Sequence, residues 1–246
     1  MPKRAMVLAA GLGKRMRPLT DTIPKPMIEV AGRTMIDHAL DRFAAIGVQD
    51  IVVNLHHLKA KLEAHLANRR DVRIVLSPEA ELLETGGGVA NALPLLGAEP
   101  FFVANADILW FDGATSALVR LAQAWDDEKM DALLLMQRTV TAHGYDGLGD
   151  FFLDPLGRAT RRRGGEVAPY VFAGVQILHP RLFKDAPAGA FSLNVLYNRA
   201  EESGRLWGIA HDGLWFHVGT PDSIAPTEAE LGYVRPAPGE RRAAAT

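Results

Sequence analysis

Short apolar runs alternate with amphipathic segments through the first hundred residues of the chain. The apolar runs are Ala5–Leu8, Ile51–Asn54, Val72–Leu76 and Phe101–Ala104, and the segments of helical spacing between them are Met35–Ile46 and Lys59–Ala67. The first helix is predicted to begin at Thr34, a residue type that caps helix N-termini. Strands that alternate with helices in this rhythm predict a parallel sheet covered by helices. Ligands of such sheets bind beyond the carboxyl ends of the strands.

The second half of the chain has a less regular pattern. Strands are predicted at Ala132–Met136, Tyr170–Leu178, Leu206–Ala210 and Trp215–Val218, and helices at Ser192–Ser203 and Asp222–Tyr233. We therefore predict a single Rossmann-like α/β domain over residues 1–234, with a mostly parallel central sheet, flanking helices and a smaller β region. The remaining segment, residues 235–246, is rich in Pro, Ala and Arg, and is predicted to be a disordered tail.

Composition narrows the class of protein. The chain has 246 residues, of which 48% are hydrophobic, enough for the core of one large domain. Its formal net charge of −2 makes nucleic acid an unexpected partner. It contains no cysteine and no apolar run of membrane-spanning length, and its first residues lead directly into a strand rather than a signal peptide. We expect a cytoplasmic protein without a membrane partner, as a monomer or small homo-oligomer.

The segment after the first strand carries the strongest chemical signal. Gly11 and Gly13 allow a tight turn whose backbone N–H groups can cradle an anion. Four cations surround the turn, namely Lys14, Arg15, Arg17 and Lys25, and prolines bracket the last of them. The dinucleotide-binding spacing G-x-G-x-x-G fails at Met16, and the P-loop pattern fails as well. The segment predicts a phosphate-binding loop of another kind.

The pattern G-x-G-x-R-M-x-P-L-T followed by P-K-P resembles the sugar-1-phosphate nucleotidylyltransferases. The resemblance extends nearly to Leu231 and within that family is greatest to the N-acetylmuramate α-1-phosphate uridylyltransferases. Further matching motifs are Ser77-Pro78-Glu79, Leu83-Glu84-Thr85-Gly86-Gly87-Gly88, Asn105-Ala106-Asp107-Ile108, Gly149-Asp150-Phe151, Phe172-Ala173-Gly174 and Trp215-Phe216-His217-Val218-Gly219-Thr220. The resemblance implies transfer of a nucleotidyl group, from UTP in that subgroup, to a sugar 1-phosphate with release of pyrophosphate.

The resemblance assigns roles to residues of this sequence. Arg15 and Lys25 correspond to residues that bind the triphosphate and stabilise the transition state. The expected nucleotide-binding residues are Leu8, Ala9, Ala10, Gly11, Gly13, Lys14, Arg15, Lys25, Glu79, Thr85 and Gly86. The expected sugar-binding residues, in the smaller β region, are Asn105, Gly149, Asp150 and Gly174.

The expected metal site departs from the family pattern. Asp107 follows a buried strand and faces the phosphate loop, where a carboxylate suits Mg²⁺. The family places a second aspartate where this chain has His217, and imidazole favours ions such as Mn²⁺ or Co²⁺. Three alternatives stay open for His217. It ligates a softer ion, it holds a metal-bound water or a phosphate, or it is a structural histidine.

The identity of the base is also open at this stage. A carboxylate at Glu79 can accept both N1–H and N2–H₂ of guanine, whereas uracil offers one donor between two carbonyl oxygens. This residue by itself favours GTP, while the resemblance favours UTP. We therefore expect a uridylyltransferase acting on N-acetylmuramic acid α-1-phosphate in cell-wall sugar recycling. The alternatives are a mannose- or other hexose-1-phosphate guanylyltransferase and, from another class, a catalytically silent nucleotide-sugar sensor.

Overall fold

Strands and helices alternate along the chain in the computed structural model, which describes residues 1–233. The strands are β1 (Arg4–Leu8), β2 (Glu29–Val30), β3 (Arg33–Thr34), β4 (Asp50–Leu55), β5 (Arg73–Pro78), β6 (Phe101–Asn105), β7 (Ile108–Phe111), β8 (Ala132–Arg138), β9 (Phe151–Leu153), β10 (Ala159–Arg161), β11 (Tyr170–Leu178), β12 (Leu206–Ala210) and β13 (Leu214–His217). The helices are α1 (Met35–Ala45), α2 (Lys59–Leu66), α3 (Glu84–Leu96), α4 (Ala117–Ala124), α5 (Asn194–Glu202) and α6 (Ile224–Glu230). The predicted tail and residue 234 lie outside the described residues.

Within residues 1–233 the central sheet contains nine strands. Its main run has the order β12-β8-β11-β6-β1-β4-β5, in which β11 alone is antiparallel to its neighbours. Strands β9 and β10 extend from β11, and β7 pairs with β13 in a separate two-stranded ribbon. The predicted α/β class, with a mostly parallel sheet and flanking helices, is confirmed.

Two layers of helix bury the two faces of the sheet. Apolar residues of α1, α2 and α4 pack in one core cluster, and those of α3 and α5 pack in the other. The pleat divides β1 between them, since Ala5 and Val7 face the first cluster and Met6 faces the second. Thr34 caps α1 as predicted, because its side chain accepts a hydrogen bond from the Asp37 amide. None of the helices in residues 1–233 is long and apolar enough to cross a bilayer.

The helix α3 was not predicted by the hydrophobic pattern. It contains Gly86, Gly87, Gly88 and Pro94, which have poor intrinsic helix propensity. Tertiary packing explains the glycines. A Cβ on Gly87 would lie 2.3 Å from the Gly189 carbonyl oxygen, and one on Gly86 would lie 2.3 Å from the Phe191 ring. The start of this helix is pressed against a neighbouring segment, and only glycine permits that approach.

The topology brings two strand ends to one place. Leu8 at the end of β1 is in register with Asn105 at the end of β6. The ribbon of β7 and β13 follows directly, and it pairs His217 with Ile108, next in sequence to Asp107. The glycine-rich loop, the predicted metal carboxylate and the histidine therefore meet at the carboxyl edge of the sheet, as expected for a sheet of this kind.

Candidate active site

The loop after β1 forms one wall of a cavity of about 380 Å³. Leu8, Ala9, Ala10 and Gly11 line it. Gly13 turns the chain with φ of 60°, and a Cβ there would lie 2.8 Å from Thr20 Cγ2. The tight turn therefore requires glycine at position 13, as the sequence indicated.

The opposite wall of this first cavity comes from the start of α3 and the segment before α5. Glu84 and Thr85 line it together with Ser192. The N–H groups of Gly86 and Gly87 both donate to the Phe191 carbonyl oxygen, and the Leu193 amide donates to Thr85 Oγ1 at 3.0 Å. The Gly86 and Gly87 amides are thus bonded to protein and do not point to a ligand.

A lysine–aspartate pair lies at the floor of the cavity. Lys25 is 8% exposed, and its Nζ donates to Asp107 Oδ2 at 2.8 Å. Burial by itself would raise the pKa of Asp107, but the Lys25 ammonium, with smaller contributions from His217 and Arg15, holds that pKa below its usual value. The carboxylate is therefore ionised at neutral pH and available to a cation.

A second cavity of about 530 Å³ adjoins the first and shares Asn105 and Asp107 with it. Its lining includes the side chains of Arg15, Tyr145, Asp150 and His217. The Asp150 carboxylate accepts a hydrogen bond from the Phe172 amide at 3.0 Å, which fixes its position. Two ligands placed in the two cavities would meet beside Asp107, with Lys25 on one side and Arg15 on the other.

His217 ends β13 beside this meeting point. Burial lowers the pKa of His217, and the attraction of Asp107 is opposed by Lys25 and Arg15. The imidazole is therefore neutral at neutral pH. A Cβ on Gly219 would lie 2.6 Å from His217 Nε2 and 3.3 Å from Arg15 Nη1, so this glycine leaves room for both side chains.

The metal-ligating groups here are few. Residues 1–233 contain no cluster of three or more His, Cys, Asp or Glu side chains arranged to hold a metal. Asp107 Oδ1 has no hydrogen-bond partner among the described residues, whereas Oδ2 is bound by Lys25. One carboxylate oxygen beside a phosphate site fits Mg²⁺, which takes one or two carboxylates and completes its shell with phosphates and water.

Other predicted residues support the site from behind. Gly174, with φ of 77°, packs against Asn105, since a Cβ there would lie 3.2 Å from Asn105 Nδ2. The Gly149 amide donates to Tyr145 Oη at 3.0 Å. Lys14 is exposed on the short 3-10 turn Lys14–Met16 and lines neither cavity.

Glu79 is placed differently from the sequence expectation. It is 3% exposed and is not among the residues that line either cavity. Oε1 accepts from Asn54 Nδ2 at 2.7 Å, and Oε2 accepts from the Leu83 amide at 3.0 Å. Both carboxylate oxygens are therefore bonded to protein groups behind the cavity wall, and neither faces a base.

Several residues of the cavities were not singled out in the sequence, among them Asn54, Ser192 and Tyr145. Asn54 and Ser192 line the first cavity, and Tyr145 lines the second. Asn54 carried a usable signal, because it is the polar residue at the end of the apolar run Ile51–Asn54, as Asn105 is the polar residue at the end of β6. Tyr145 and Ser192 lie in irregular segments without such a pattern.

Two cations, Lys25 and Arg15, and the carboxylate of Asp107 lie between two cavities at the carboxyl edge of an α/β sheet. This arrangement suits a nucleotidyltransferase, which has to bind the phosphates of two substrates side by side. Residues 5–188 match the family model of the MobA-like NTP transferase domain. The chain belongs to that family.

Curated relatives cover almost the whole chain. N-acetylmuramate alpha-1-phosphate uridylyltransferase from Caulobacter vibrioides is 47% identical over 94% of this chain and 97% of its own length. The protein of the same name from Neisseria meningitidis is 38% identical over 93% of this chain and 98% of its own length. A mannose-1-phosphate guanyltransferase from Aspergillus fumigatus is 30% identical over 89% of this chain but 61% of its own length.

The fold is also found among solved structures. The inositol-1-phosphate CTP transferase from T. maritima superposes with a TM-score of 0.76 over 93% of this chain and 94% of its own, at 18% identity. At that identity the likeness shows the fold alone. The expected membership of the sugar-1-phosphate nucleotidylyltransferases is confirmed by the curated relatives.

Proposed function

We propose that the protein transfers UMP from UTP to a sugar 1-phosphate, releasing pyrophosphate, and that the acceptor is N-acetylmuramic acid α-1-phosphate. The observation that supports this most directly is the pair of adjoining cavities that share Asp107, with Lys25 and Arg15 on opposite sides. The two uridylyltransferase relatives, which match over nearly their full length, support the choice of nucleotide and acceptor. The reaction would belong to cell-wall sugar recycling in the cytoplasm.

The chemistry needs positioning and charge more than a base. An oxygen of the acceptor phosphate attacks the α-phosphorus of UTP, the new O–P bond forms, and the bond to the β-phosphate oxygen breaks in line. The attacking phosphate is already anionic, so no side chain has to remove a proton. Lys25 provides a point charge, and the Arg15 guanidinium can bind two oxygens at once. Both reduce the repulsion between two polyanions.

A divalent cation fits beside these residues. Asp107 would hold Mg²⁺ through Oδ1 together with substrate phosphates, and His217 favours Mn²⁺ or Co²⁺ if it contacts the ion. The bound ion would supply charge neutralisation of the phosphate oxygens. The ionised state of Asp107, and the fact that Lys25 binds its Oδ2 and not its Oδ1, support this assignment.

The placement of Glu79 removes the argument that favoured guanine over uracil. The bidentate recognition of guanine expected of a carboxylate would need both oxygens of Glu79. Both are buried and already accept from Asn54 and Leu83. The sequence argument for GTP thereby loses its basis, and UTP is the proposed substrate.

A pyrophosphate-release assay with UTP, GTP, CTP and dTTP against N-acetylmuramic acid α-1-phosphate and mannose 1-phosphate tests the proposal. We expect the highest kcat/KM with UTP and the N-acetylmuramic acid derivative. Faster turnover with GTP and mannose 1-phosphate would support the guanylyltransferase alternative, for which the Aspergillus relative is the precedent. Nucleotide binding without turnover for any pair or metal would favour the silent sensor.

A further inference from the structure

A chain of buried hydrogen bonds runs behind the first cavity and joins its two walls. The Ala9 amide donates to Asn54 Oδ1 at 2.7 Å, and Asn54 Nδ2 donates to Glu79 Oε1 at 2.7 Å. Glu79 Oε2 then accepts from the Leu83 amide at 3.0 Å. Ala9 belongs to the loop after β1, and Leu83 immediately precedes α3. The chain therefore connects the glycine-rich loop to the helix that faces it.

The two end groups of this series of hydrogen bonds, the Ala9 and Leu83 amides, determine which atom donates and which accepts at every step. Both ends are backbone N–H groups, which can only donate. The Asn54 amide must therefore turn its oxygen to Ala9 and its nitrogen to Glu79, and the residue at 79 must accept at both oxygens. An ionised carboxylate meets that requirement, whereas an amide accepts through one atom only.

The side chains of Asn54 and Glu79 have little room to move. Asn54 is 2% exposed and Glu79 is 3% exposed. A Cβ on Gly88 would lie 2.9 Å from Glu79 Oε1 and 3.0 Å from Asn54 Nδ2, so the backbone of α3 packs directly on the pair. Asn54 also lines the first cavity. Movement of either side chain would shift a wall of that cavity.

We propose that Asn54 and Glu79 are positioning residues that set the separation between the Ala9–Gly11 loop and the start of α3, and thereby the affinity for the nucleotide. This inference rests on the proposed function, since it takes the first cavity as the UTP site. Glu79 acts through Asn54 and Leu83 without touching the base. Its carboxylate is required because two donors face it, whichever base is bound.

Moving the carboxylate from position 79 to position 54 tests this proposal. Glu79→Gln presents one donor and one acceptor where two acceptors are needed, and leaves one N–H of the chain without a partner. Asn54→Asp places two carboxylates in contact. In the double variant Asn54→Asp/Glu79→Gln, the new carboxylate at position 54 accepts from the Ala9 amide and from the new side-chain NH₂ at position 79. The side-chain carbonyl oxygen at position 79 accepts from the Leu83 amide. All donors regain partners, and the net charge is unchanged.

We expect Glu79→Gln to raise the Kd for UTP about 10- to 100-fold, the range for a buried donor left unpaired. Asn54→Asp should raise that Kd as well, because it places two buried carboxylates in contact. KM for the sugar phosphate should stay unchanged, because none of the hydrogen-bonded residues Ala9, Asn54, Glu79 and Leu83 lines the second cavity. The double variant should recover most of the affinity. Hydrogen exchange at the Ala9 or the Leu83 amide should be faster in Glu79→Gln than in the wild type, and slow again at both amides in the double variant. Asn91→Asp on α3, which replaces a donor to Ser77 outside both cavities, is the matched control and should bind UTP normally.

Three outcomes would overturn the proposal. Glu79→Gln could bind UTP as the wild type does, or the double variant could bind no better than Glu79→Gln. The third is a change in UTP-to-GTP preference in Glu79→Gln that persists in the double variant, which would assign base reading to Glu79. If Glu79→Gln does not fold, the double variant still tests the proposal. Only the proposed series of hydrogen bonds predicts that the double variant folds and binds UTP. A wild type that binds no UTP would instead overturn the proposed function.

Discussion

The two cavities are built by different means. The walls of the first cavity are a strand end and a helix start, tied together by buried hydrogen bonds through Asn54 and Glu79. The second cavity takes only part of its lining, Gly144–Gly147 and Asp150, from the irregular segment before β9, and takes most of the remainder from β11, from β13 and from the residues after β13. Val140 and Leu148, which lie between β8 and β9 but do not line the cavity, are 89% and 51% exposed, so solvent reaches this irregular segment freely.

This difference has a functional meaning. Groups held in buried, fully bonded positions are preorganised, and binding to them costs little conformational entropy. Loops on the surface tolerate changes of length and sequence. We infer that the nucleotide side of the site is fixed by the fold, and that the acceptor side is where sugar specificity is adjusted. The predictions below test that division, beginning with the residue that both cavities share.

Replacement of Asp107 should have the largest effect. Asp107→Ala removes the carboxylate between the cavities and leaves the buried Lys25 ammonium without its 2.8 Å partner. We expect kcat to fall by about 10³-fold, the upper end of the range for loss of one charge contact in the transition state. Steady-state kinetics at saturating Mg²⁺, with the thermal midpoint as the folding control, measure this. Near-normal turnover by a folded variant would remove Asp107 from the metal site.

Replacing Lys25 and replacing Arg15 should affect different substrates, because the two residues line different cavities. Lys25 lines the first and Arg15 the second. We expect Lys25→Ala and Arg15→Ala each to lower kcat/KM by roughly 10²–10³-fold. The larger rise in KM should be for UTP in the first variant and for the sugar phosphate in the second. Identical KM patterns for the two variants would contradict the proposed division, and wild-type kinetics in either variant would show that its residue takes no part in the reaction.

The sequence predicted the residues that lie near regular strands better than those in irregular segments. The glycine-rich loop, Lys25 and Asp107 lie close to strands with strong apolar patterns, so their meeting at one sheet edge was predictable. Helix α3 was missed because its glycines weaken the helical pattern and are explained only by contacts with Gly189 and Phe191. The burial of Glu79 was missed for a similar reason, since Asn54, one of its two partners, is 25 residues away in sequence. Tyr145 lies in a segment without periodicity.

Tyr145 offers a smaller test of the acceptor side. Its Oη accepts from the Gly149 amide at 3.0 Å, and burial, aided by Asp150, raises the pKa of its hydroxyl so that it stays protonated. Tyr145→Phe should raise KM for the sugar phosphate about 3- to 10-fold, the worth of one neutral hydrogen bond. KM for UTP should not change. Tyr170→Phe, outside both cavities, is the control. An equal rise in both KM values would show that the two cavities are not independent.

The smallest expected effect concerns the choice of ion at His217, where the two cavities meet. Burial keeps the imidazole neutral, and only a neutral imidazole can ligate a metal. If it contacts the ion, Mn²⁺ or Co²⁺ should support activity at least as well as Mg²⁺, and His217→Asp should shift the preference severalfold towards Mg²⁺, because carboxylate oxygen suits that ion. Activity titrations with each ion measure this preference. The contrary result is a wild type that strongly prefers Mg²⁺ and a His217→Ala variant with the same rate and ion dependence. In that case Asp107 and the substrate phosphates suffice for the ion, and His217 serves to pack the end of β13 against Gly219 and Arg15.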